Sequence, residues 1–392
     1  LTFAAVFLSG RITTSMTPMK YFGRLATGLM LLMFGLPSVE GRADELRWDG
    51  LRIPVAASGS GGSHPLELEA MVVRLDDRLA HPLAVLNHGS PRDAADRATM
   101  SPFRMWPQAV AFARRGWVAV VVMRRGYGSS QGEWAEGYGS CVGPDYAAAG
   151  KAGASDIAAA ARYMSGQAYV SKGKWISVGH SAGGFATVAL SADPPPGLAA
   201  AIAFAPGRGS TTADAVCGEK QLVAAFAQYG KTSRLPLLWV AAENDHFFGS
   251  RLVPLLTNAF SKAGGNVTPV KAAAFGDDGH QLFTTASGIP IWSPIVDRFL
   301  AVNNLALRNR PIDVTLPNVA APPGLSSNGL ETFKTYLESG PNKAFAVAGA
   351  SRFGWATGCR TVEEARKAAM DYCTSGTSTK CRIVNVNNQP VQ

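Results

Sequence analysis

Little in this chain points to a metal or redox protein. Only 5 of its 392 residues are cysteine, no two of them form a C-x-x-C pair, and none has the spacing of zinc ligands. Charge is also sparse, at 17% of residues, and no dense Lys/Arg run occurs between residues 44 and 340. Nucleic-acid recognition needs a concentrated basic surface, so the +9 formal charge by itself does not imply that partner. Long apolar runs are missing too. The longest uncharged one, residues 25–36, has 12 residues, against the roughly 20 a spanning helix needs, which excludes a polytopic membrane protein. Apolar side chains are abundant at 47%. That excludes global disorder and allows one large core with something smaller beside it.

The short apolar run has its own reading. Lys20 and Arg24 precede it, Pro37 ends it, and Gly41-Arg42-Ala43 places small residues at −3 and −1 of a cleavage site. This is the pattern of a secretory signal peptide, with an uncleaved anchor as the alternative. Residues 1–43 are expected to be removed, leaving Asp44 first. Met16 and Met19 lie just before the basic residues, so residues 1–15 read as an over-extended gene start. The expected location is the periplasm or the extracellular space, with no stable membrane insertion after cleavage. Without residues 1–43 the chain holds 33 basic and 27 acidic residues, or +6. Residues 341–392 carry seven basic and three acidic side chains, +4, which leaves 44–340 at only +2. The long middle is nearly neutral, and no nucleic-acid partner is expected.

Cysteines in an exported protein read as disulfides. Cys373 and Cys381 bracket a short polar loop and make a local pair. Cys141 and Cys217 lie in loops of the main domain and are expected to pair across it, leaving Cys359 over.

Within 44–305, short runs rich in β-branched residues recur at 83–86, 117–123, 175–178, 198–204, 236–241 and 267–275. Helix-length segments separate them, at 102–115, 145–165, 182–192, 214–229, 251–264 and 289–303. Strands apolar on both faces, alternating with amphipathic helices, make a parallel sheet covered on both sides. The alternating segments 46–56 and 66–75, joined by a Gly/Ser-rich turn at 58–63, read as an antiparallel hairpin at its edge. The expected class is α/β, with about eight strands.

Reactive residues of such sheets collect in loops at the carboxyl ends of the strands. After 175–178 comes Gly179-His180-Ser181-Ala182-Gly183, a G-x-S-x-G running straight into a helical segment. A serine in that bend stands at a helix N-terminus, where the dipole favours a developing anion, and small neighbours let the backbones close in. After 236–241 comes Glu243-Asn244-Asp245, and after 267–275 comes Gly276-Asp277-Asp278-Gly279-His280. The order Ser, acid, His suits this kind of sheet. Ser181 is the expected nucleophile, Asp245 the acid in preference to Glu243, and His280 the base in preference to His246. A second match, Gly128-Ser129-Ser130-Gln131-Gly132, enters a Gly-rich loop instead of a helix, so Ser130 is set aside. Asn87-His88-Gly89-Ser90-Pro91 follows the strand at 83–86, and the N–H groups of Ser90 and Ala182 are the expected oxyanion donors. His88 and His180 read as packed loop histidines beside the pocket. Tyr127, Trp134 and His246 are further pocket candidates, and 129–150 and 207–220 are its expected rims.

Taken together, His88-Gly89-Ser90-Pro91, Arg124-Arg125-Gly126-Tyr127-Gly128, Gly179–Gly183, Glu243-Asn244-Asp245 and Asp278-Gly279-His280 resemble the α/β-hydrolase fold. Within it they are similar to secreted dienelactone-hydrolase-like and prolyl-oligopeptidase-like serine hydrolases, over roughly residues 45–305. The resemblance implies acyl-enzyme chemistry on a small ester or acyl substrate, with no metal or cofactor. Dienelactone hydrolases use a cysteine where this chain has Ser181, so that activity itself is not implied. A serine peptidase or aminoacyl hydrolase is the alternative enzyme, and a non-catalytic binding protein on the same fold is the alternative class.

Residues 306–340 read as a linker with a short helix at 329–339. A small ββαβ module follows: strands at 343–348 and 353–356, a helix opened by the capping box at Thr361 and Glu364, and a strand at 380–386. Its +4 charge allows weak binding to an anionic surface, against the plainer reading of a solvated face.

Overall fold

The structure, a computed structural model, describes residues 46–56, 65–315, 318–349, 351–375 and 380–391. The signal region, Asp44 and the 58–63 turn lie outside the described residues. The chain runs β1 (Leu46–Val55), β2 (Leu66–Leu75), β3 (Leu83–Asn87), α1 (Trp106–Ala113), β4 (Val118–Val122), α2 (Tyr146–Met164), β5 (Trp175–His180), α3 (Ala182–Ala192) and β6 (Leu198–Phe204). A small hairpin follows, β7 (Ser210–Thr212) and β8 (Ala215–Val216). Then come α4 (Glu219–Gly230), β9 (Leu237–Ala242), α5 (Gly249–Lys262), β10 (Val267–Ala272) and α6 (Ile289–Val302).

Eight of these strands form one sheet in the order β1-β2-β4-β3-β5-β6-β9-β10. β1, β2 and β4 pair antiparallel, and every later pair is parallel. The expected edge hairpin and parallel body are therefore both present. β3, β4, β5 and β9 are buried along their whole length. Their alternate residues feed two separate cores. Val85, Val118, Val120 and Trp239 pack on one side with Ile157, Phe185 and Phe226. Leu86, Val121, Val178 and Val240 pack on the other with Phe112, Trp292 and Phe299. A strand with apolar residues at every position is explained by this two-sided burial. Two expectations shift. Residues 214–218 belong to the β7–β8 turn and the αL residue Gly218, so α4 begins only at Glu219. β10 stops at Ala272, before the loop that carries His280.

The C-terminal unit holds α7 (Ser327–Glu338), β11 (Ala344–Ala348), β12 (Arg352–Ala356), α8 (Val362–Thr374), β13 (Arg382–Val386) and β14 (Gln389–Pro390). Its sheet runs β12-β11-β13-β14. Strand alternation on β11 sorts its neighbours. Ala344, Ala346 and Ala348 meet Ala365, Ala369 and Cys373 of α8, where small residues let helix and sheet approach. Phe345 and Val347 meet Phe333 and Tyr336 of α7 on the opposite face. The helix that the sequence places with the linker thus packs on the small sheet, and supplies the second layer that a unit of about 50 residues needs for a core. Thr361 Oγ1 accepts the Glu364 N–H, as its capping box implies. Cys373 bonds Cys381, Cys141 bonds Cys217, and Cys359 is free.

Arg360 reaches from this unit into the main domain. Its Nε lies 3.3 Å from the Glu69 carboxylate on β2, and one Nη donates to the carbonyls of Ala98, at 2.7 Å, and Met100. Glu69 in turn accepts the Ser129 N–H at 2.8 Å. Charge-assisted bonds of this kind contribute roughly 1.5–3 kcal/mol. Arg360→Ala should lower stability by about 2 kcal/mol, read as a lower urea midpoint at unchanged slope. An unmoved midpoint would mean the clamp contributes nothing in solution.

Candidate active site

β5 ends at His180 and α3 begins at Ala182, so Ser181 alone makes the bend. Its backbone sits at φ 55°, ψ −120°, a strained conformation for a residue with a side chain. Main-chain bonds hold it there. Ser181 N–H donates to Phe204 O at 2.9 Å, and Ser181 O accepts from Phe185 N at 2.8 Å and Gly207 N at 3.2 Å. The flanking glycines are required by space. A Cβ on Gly179 would lie 2.2 Å from Gly183 O, and one on Gly183 would lie 2.4 Å from the carbonyl oxygens of Asn87 and His88.

Asp245 and His280 are brought together as their chain order implies. His280 Nδ1 lies 3.0 Å from Asp245 Oδ2, and both residues are buried. Asp245 Oδ1 accepts the N–H groups of Phe247, at 2.7 Å, and Phe248, at 3.0 Å. Burial works against the Asp245 charge. The bonds from His280, Phe248 and Phe247 outweigh it and hold the carboxyl below the usual carboxylate range. Phe247 stacks on the His280 ring, 3.8 Å between centroids and 9° between planes, and Phe248 meets it edge-on at 5.6 Å. With Nδ1 on the carboxylate, His280 Nε2 is left without a partner among the described residues, as is Ser181 Oγ.

The Asp245 and His280 loops are stapled by Asn244 and by Asp278, which reads from the sequence as a turn-forming residue. Asn244 Oδ1 accepts Phe275 N–H at 2.8 Å, and its Nδ2 donates to Gly276 O at 2.9 Å. Asp278 Oδ1 accepts His280 N–H at 2.9 Å and His246 N–H at 3.0 Å. Glu243 faces away and pairs with Lys271 at 2.9 Å. His246 pairs with Asp214 at 3.1 Å. It lines the neighbouring depression with Glu219 and Arg251, not the cleft of Ser181, so its expected place in the pocket is corrected.

The two motif histidines act on backbone. His180 Nε2 lies 2.9 Å from His280 O, and the two rings are 4.6 Å apart. Burial, then the adjacent His280, push the His180 pKa down to about 3, so the neutral ring donates Nε2–H to that carbonyl and ties the end of β5 to the His280 loop. His88 Nε2 accepts Arg124 N–H at 3.1 Å, which places the proton on Nδ1, where it donates to Gly89 O at 2.6 Å. Burial and then Arg124 hold His88 neutral, well below its ordinary range. In a planar trans peptide the Ser90 N–H points opposite to the Gly89 carbonyl. With that carbonyl pinned by His88, the Ser90 N–H is aimed by the same contact. Neither it nor the Ala182 N–H, an orphan donor of the first helical turn, meets a backbone carbonyl among the described residues.

Below lies a buried charge cluster in which Arg124 and Tyr127 belong to the 124–128 motif, while Glu136 and Arg208 have no linear signature. Glu136 pairs with Arg124 and, at 2.8 Å, with Arg208. Tyr127 Oη accepts from Trp134 Nε1 at 3.0 Å and from Arg208 Nη2 at 3.2 Å. Its proton goes to Ser90 Oγ at 3.0 Å or Glu136 Oε2 at 3.2 Å. Burial would raise the Glu136 pKa, but the two guanidinium groups outweigh it and hold the carboxyl at about 2. The stabilisation from this carboxylate is therefore complete above its ordinary pKa near 4.5 and is lost as pH falls through about 2. Glu136→Ala leaves two buried cations short of a partner and should cost about 3–5 kcal/mol, seen as a lowered thermal midpoint. A loss under about 1 kcal/mol would contradict the pairing.

Ser181, Ser90, Ala182, Trp134, Phe247 and Phe248 line a cleft of about 90 Å³. The rims come from both expected segments, and Cys141–Cys217 joins those two segments covalently. Tyr127, His88 and His180 support the cleft from below instead of lining it. Ser130 is excluded from the site. Its Oγ accepts Glu69 N–H at 2.8 Å and donates to Met123 O at 2.6 Å, closing the edge of β2.

Residues 66–245 match the family described as X-Pro dipeptidyl-peptidase (S15 family), somewhat less than half of the chain. No curated protein matches the chain by sequence. Among solved structures, the esterase Pf2001 of Pyrococcus furiosus is similar with a TM-score of 0.46 and 14% identity, over 66% of this chain and 90% of that one. The acylaminoacyl peptidase of Pyrococcus horikoshii is similar at 0.48 and 14%, over 69% of this chain and 43% of the peptidase. Dipeptidyl peptidase 4 of Porphyromonas gingivalis is similar at 0.47 and 17%, over 66% and 36%. The family match supports a serine hydrolase at the level of broad class. The eight-stranded, mostly parallel sheet with its flanking helices and the strand–turn–helix serine give the chain the α/β-hydrolase fold.

Proposed function

We propose that the protein is an exported serine hydrolase that cleaves small carboxylic esters through an acyl-enzyme. The observation that carries this reading is the buried Asp245–His280 pair, whose unpartnered Nε2 belongs to the base loop that His180 ties to the Ser181 turn. His280 Nε2 takes the Ser181 proton as Oγ attacks the carbonyl carbon. Asp245, kept ionised, stabilises the imidazolium through Nδ1, and the stacked Phe247 face favours the same cation. The Ser90 and Ala182 N–H groups receive the oxyanion. The alcohol departs with the proton from His280. Water, deprotonated by the same nitrogen, then attacks the acyl-enzyme and releases the acid.

A cleft of about 90 Å³ favours short acyl groups over a peptide. The family match favours the second reading, a serine peptidase. The two disulfides support export to an oxidising compartment. Among the described residues no helix is long and apolar enough to cross a membrane. The test of the main reading is a fluorophosphonate adduct mapped by mass spectrometry, with turnover of p-nitrophenyl butyrate beside alanine p-nitroanilide. An adduct on Ser181 with ester turnover supports it. Anilide turnover without ester turnover moves it to the peptidase. No adduct and no turnover leaves a binding protein.

A further inference from the structure

The Ser181 cleft is lined by three arginines, Arg92, Arg97 and Arg208, and by no aspartate or glutamate. Their charge is not cancelled from below. Arg208 shares the single carboxylate of Glu136 with Arg124, so that cluster keeps one positive charge in excess. Arg97 is half-buried, its Cζ 4.1 Å over the ring of Trp134, and its side chain has no ion pair among the described residues. Arg92 lies 3.6 Å over Phe247, on the face opposite His280. Its Nε and Nη2 are held by Ser210 Oγ, at 3.1 and 2.9 Å, and Nη2 also donates to Thr212 O and His246 O, both at 3.2 Å. Arg92 and Arg97 thus rest over aromatic rings, and hydrogen bonds fix the guanidinium groups of Arg92 and Arg208 before any substrate arrives.

A planar fork fixed this way matches a carboxylate, and partial withdrawal from water strengthens the pairing. A free ammonium group would meet three cations and no counter-charge. We propose that the cleft selects esters carrying a carboxylate a few atoms from the scissile bond, as in half-esters of short dicarboxylic acids, with Arg97 and Arg208 receiving that carboxylate. This inference rests on the serine-hydrolase reading for its chemistry. The bond broken is the ester C–O, the elements of water are added across it, and the products are a dicarboxylate and an alcohol.

The test compares p-nitrophenyl hemiglutarate with its neutral methyl ester and with alanine p-nitroanilide. Wild-type kcat/KM should favour the half-ester over the methyl ester by at least about tenfold. That ratio should fall toward one in Arg97→Gln, recover in part in Arg97→Lys, and shrink with added salt. A wild-type ratio near one, a ratio unmoved by Arg97→Gln, or a preference for the anilide overturns the proposal. Calorimetric titration of the Ser181→Ala protein with monomethyl and dimethyl glutarate reads the site without turnover. Selective binding of the monoanion, weakened by Arg97→Gln, supports it, and equal binding overturns it. Ser181-dependent turnover of neutral esters at a ratio near one would sink this proposal and leave the hydrolase standing. Selective anion binding with no turnover and no fluorophosphonate adduct would do the reverse.

Discussion

Ser181→Ala should abolish turnover of p-nitrophenyl butyrate, lowering kcat by about 10⁴-fold or more, and should leave no fluorophosphonate adduct. The loss should be chemical and not structural. The bonds that hold the bend, Ser181 N–H to Phe204 O and Ser181 O to Phe185 N and Gly207 N, are all main-chain and survive the substitution. The positive φ of 55° costs alanine about what it costs serine, and Ser181 Oγ supports no other group. The thermal midpoint should therefore stay within about 2 °C of wild type, as the change falls in none of the strongly destabilising classes. Labelling retained in the alanine variant would place the nucleophile elsewhere, and unfolding would show that Oγ has a structural role these contacts do not include.

Asp245→Asn carries the second large effect, an expected fall in kcat of about 10⁴-fold with the fold intact. The asparagine carbonyl can keep the Phe247 and Phe248 N–H bonds now made by Oδ1. Its NH₂ must then face His280 Nδ1, where the carboxylate accepts at 3.0 Å. Two donors cannot share that contact, so the imidazole proton moves to Nε2. The nitrogen meant to accept the Ser181 proton is then already occupied, and the imidazolium loses its counter-charge. Circular dichroism should match wild type. Activity within about tenfold of wild type would show that the acid is not Asp245. The pair is buried, so the loss should persist in high salt, whereas exposed pairs are screened.

The sheet was legible because β-branched runs and helix-length gaps have a period, and the bend was legible because Gly179 and Gly183 are demanded by sub-3 Å approaches of neighbouring backbone. The meeting of Asp245 and His280 was legible by position, each residue lying in a loop after a strand. Contacts that join distant loops had no such signal. Asn244 and Asp278 staple two loops about 30 residues apart in sequence, yet each looks like an ordinary turn residue. Glu136 is one carboxylate in a polar-looking loop until Arg124 and Arg208 close on it. Helix α7 follows a Pro-rich stretch, and only the opposed faces of β11 show why Phe333 and Tyr336 are apolar. Arg360 is one of seven basic residues of a segment whose charge reads as a solvated face, and its contact with Glu69 has no signal in the sequence.

The bond between Cys141 and Cys217 encloses 76 residues of sequence separation, and Ser181 lies inside that loop. A protease that cuts a surface turn anywhere within it does not release the nucleophile, since both fragments remain one covalent molecule. Such a nicked chain should run as a single species on a gel until reductant is added, and then as two. For a protein exported as proposed, where cleavage of exposed loops is a standing hazard, that closed ring makes the loss of one peptide bond survivable for the segment that carries Ser181.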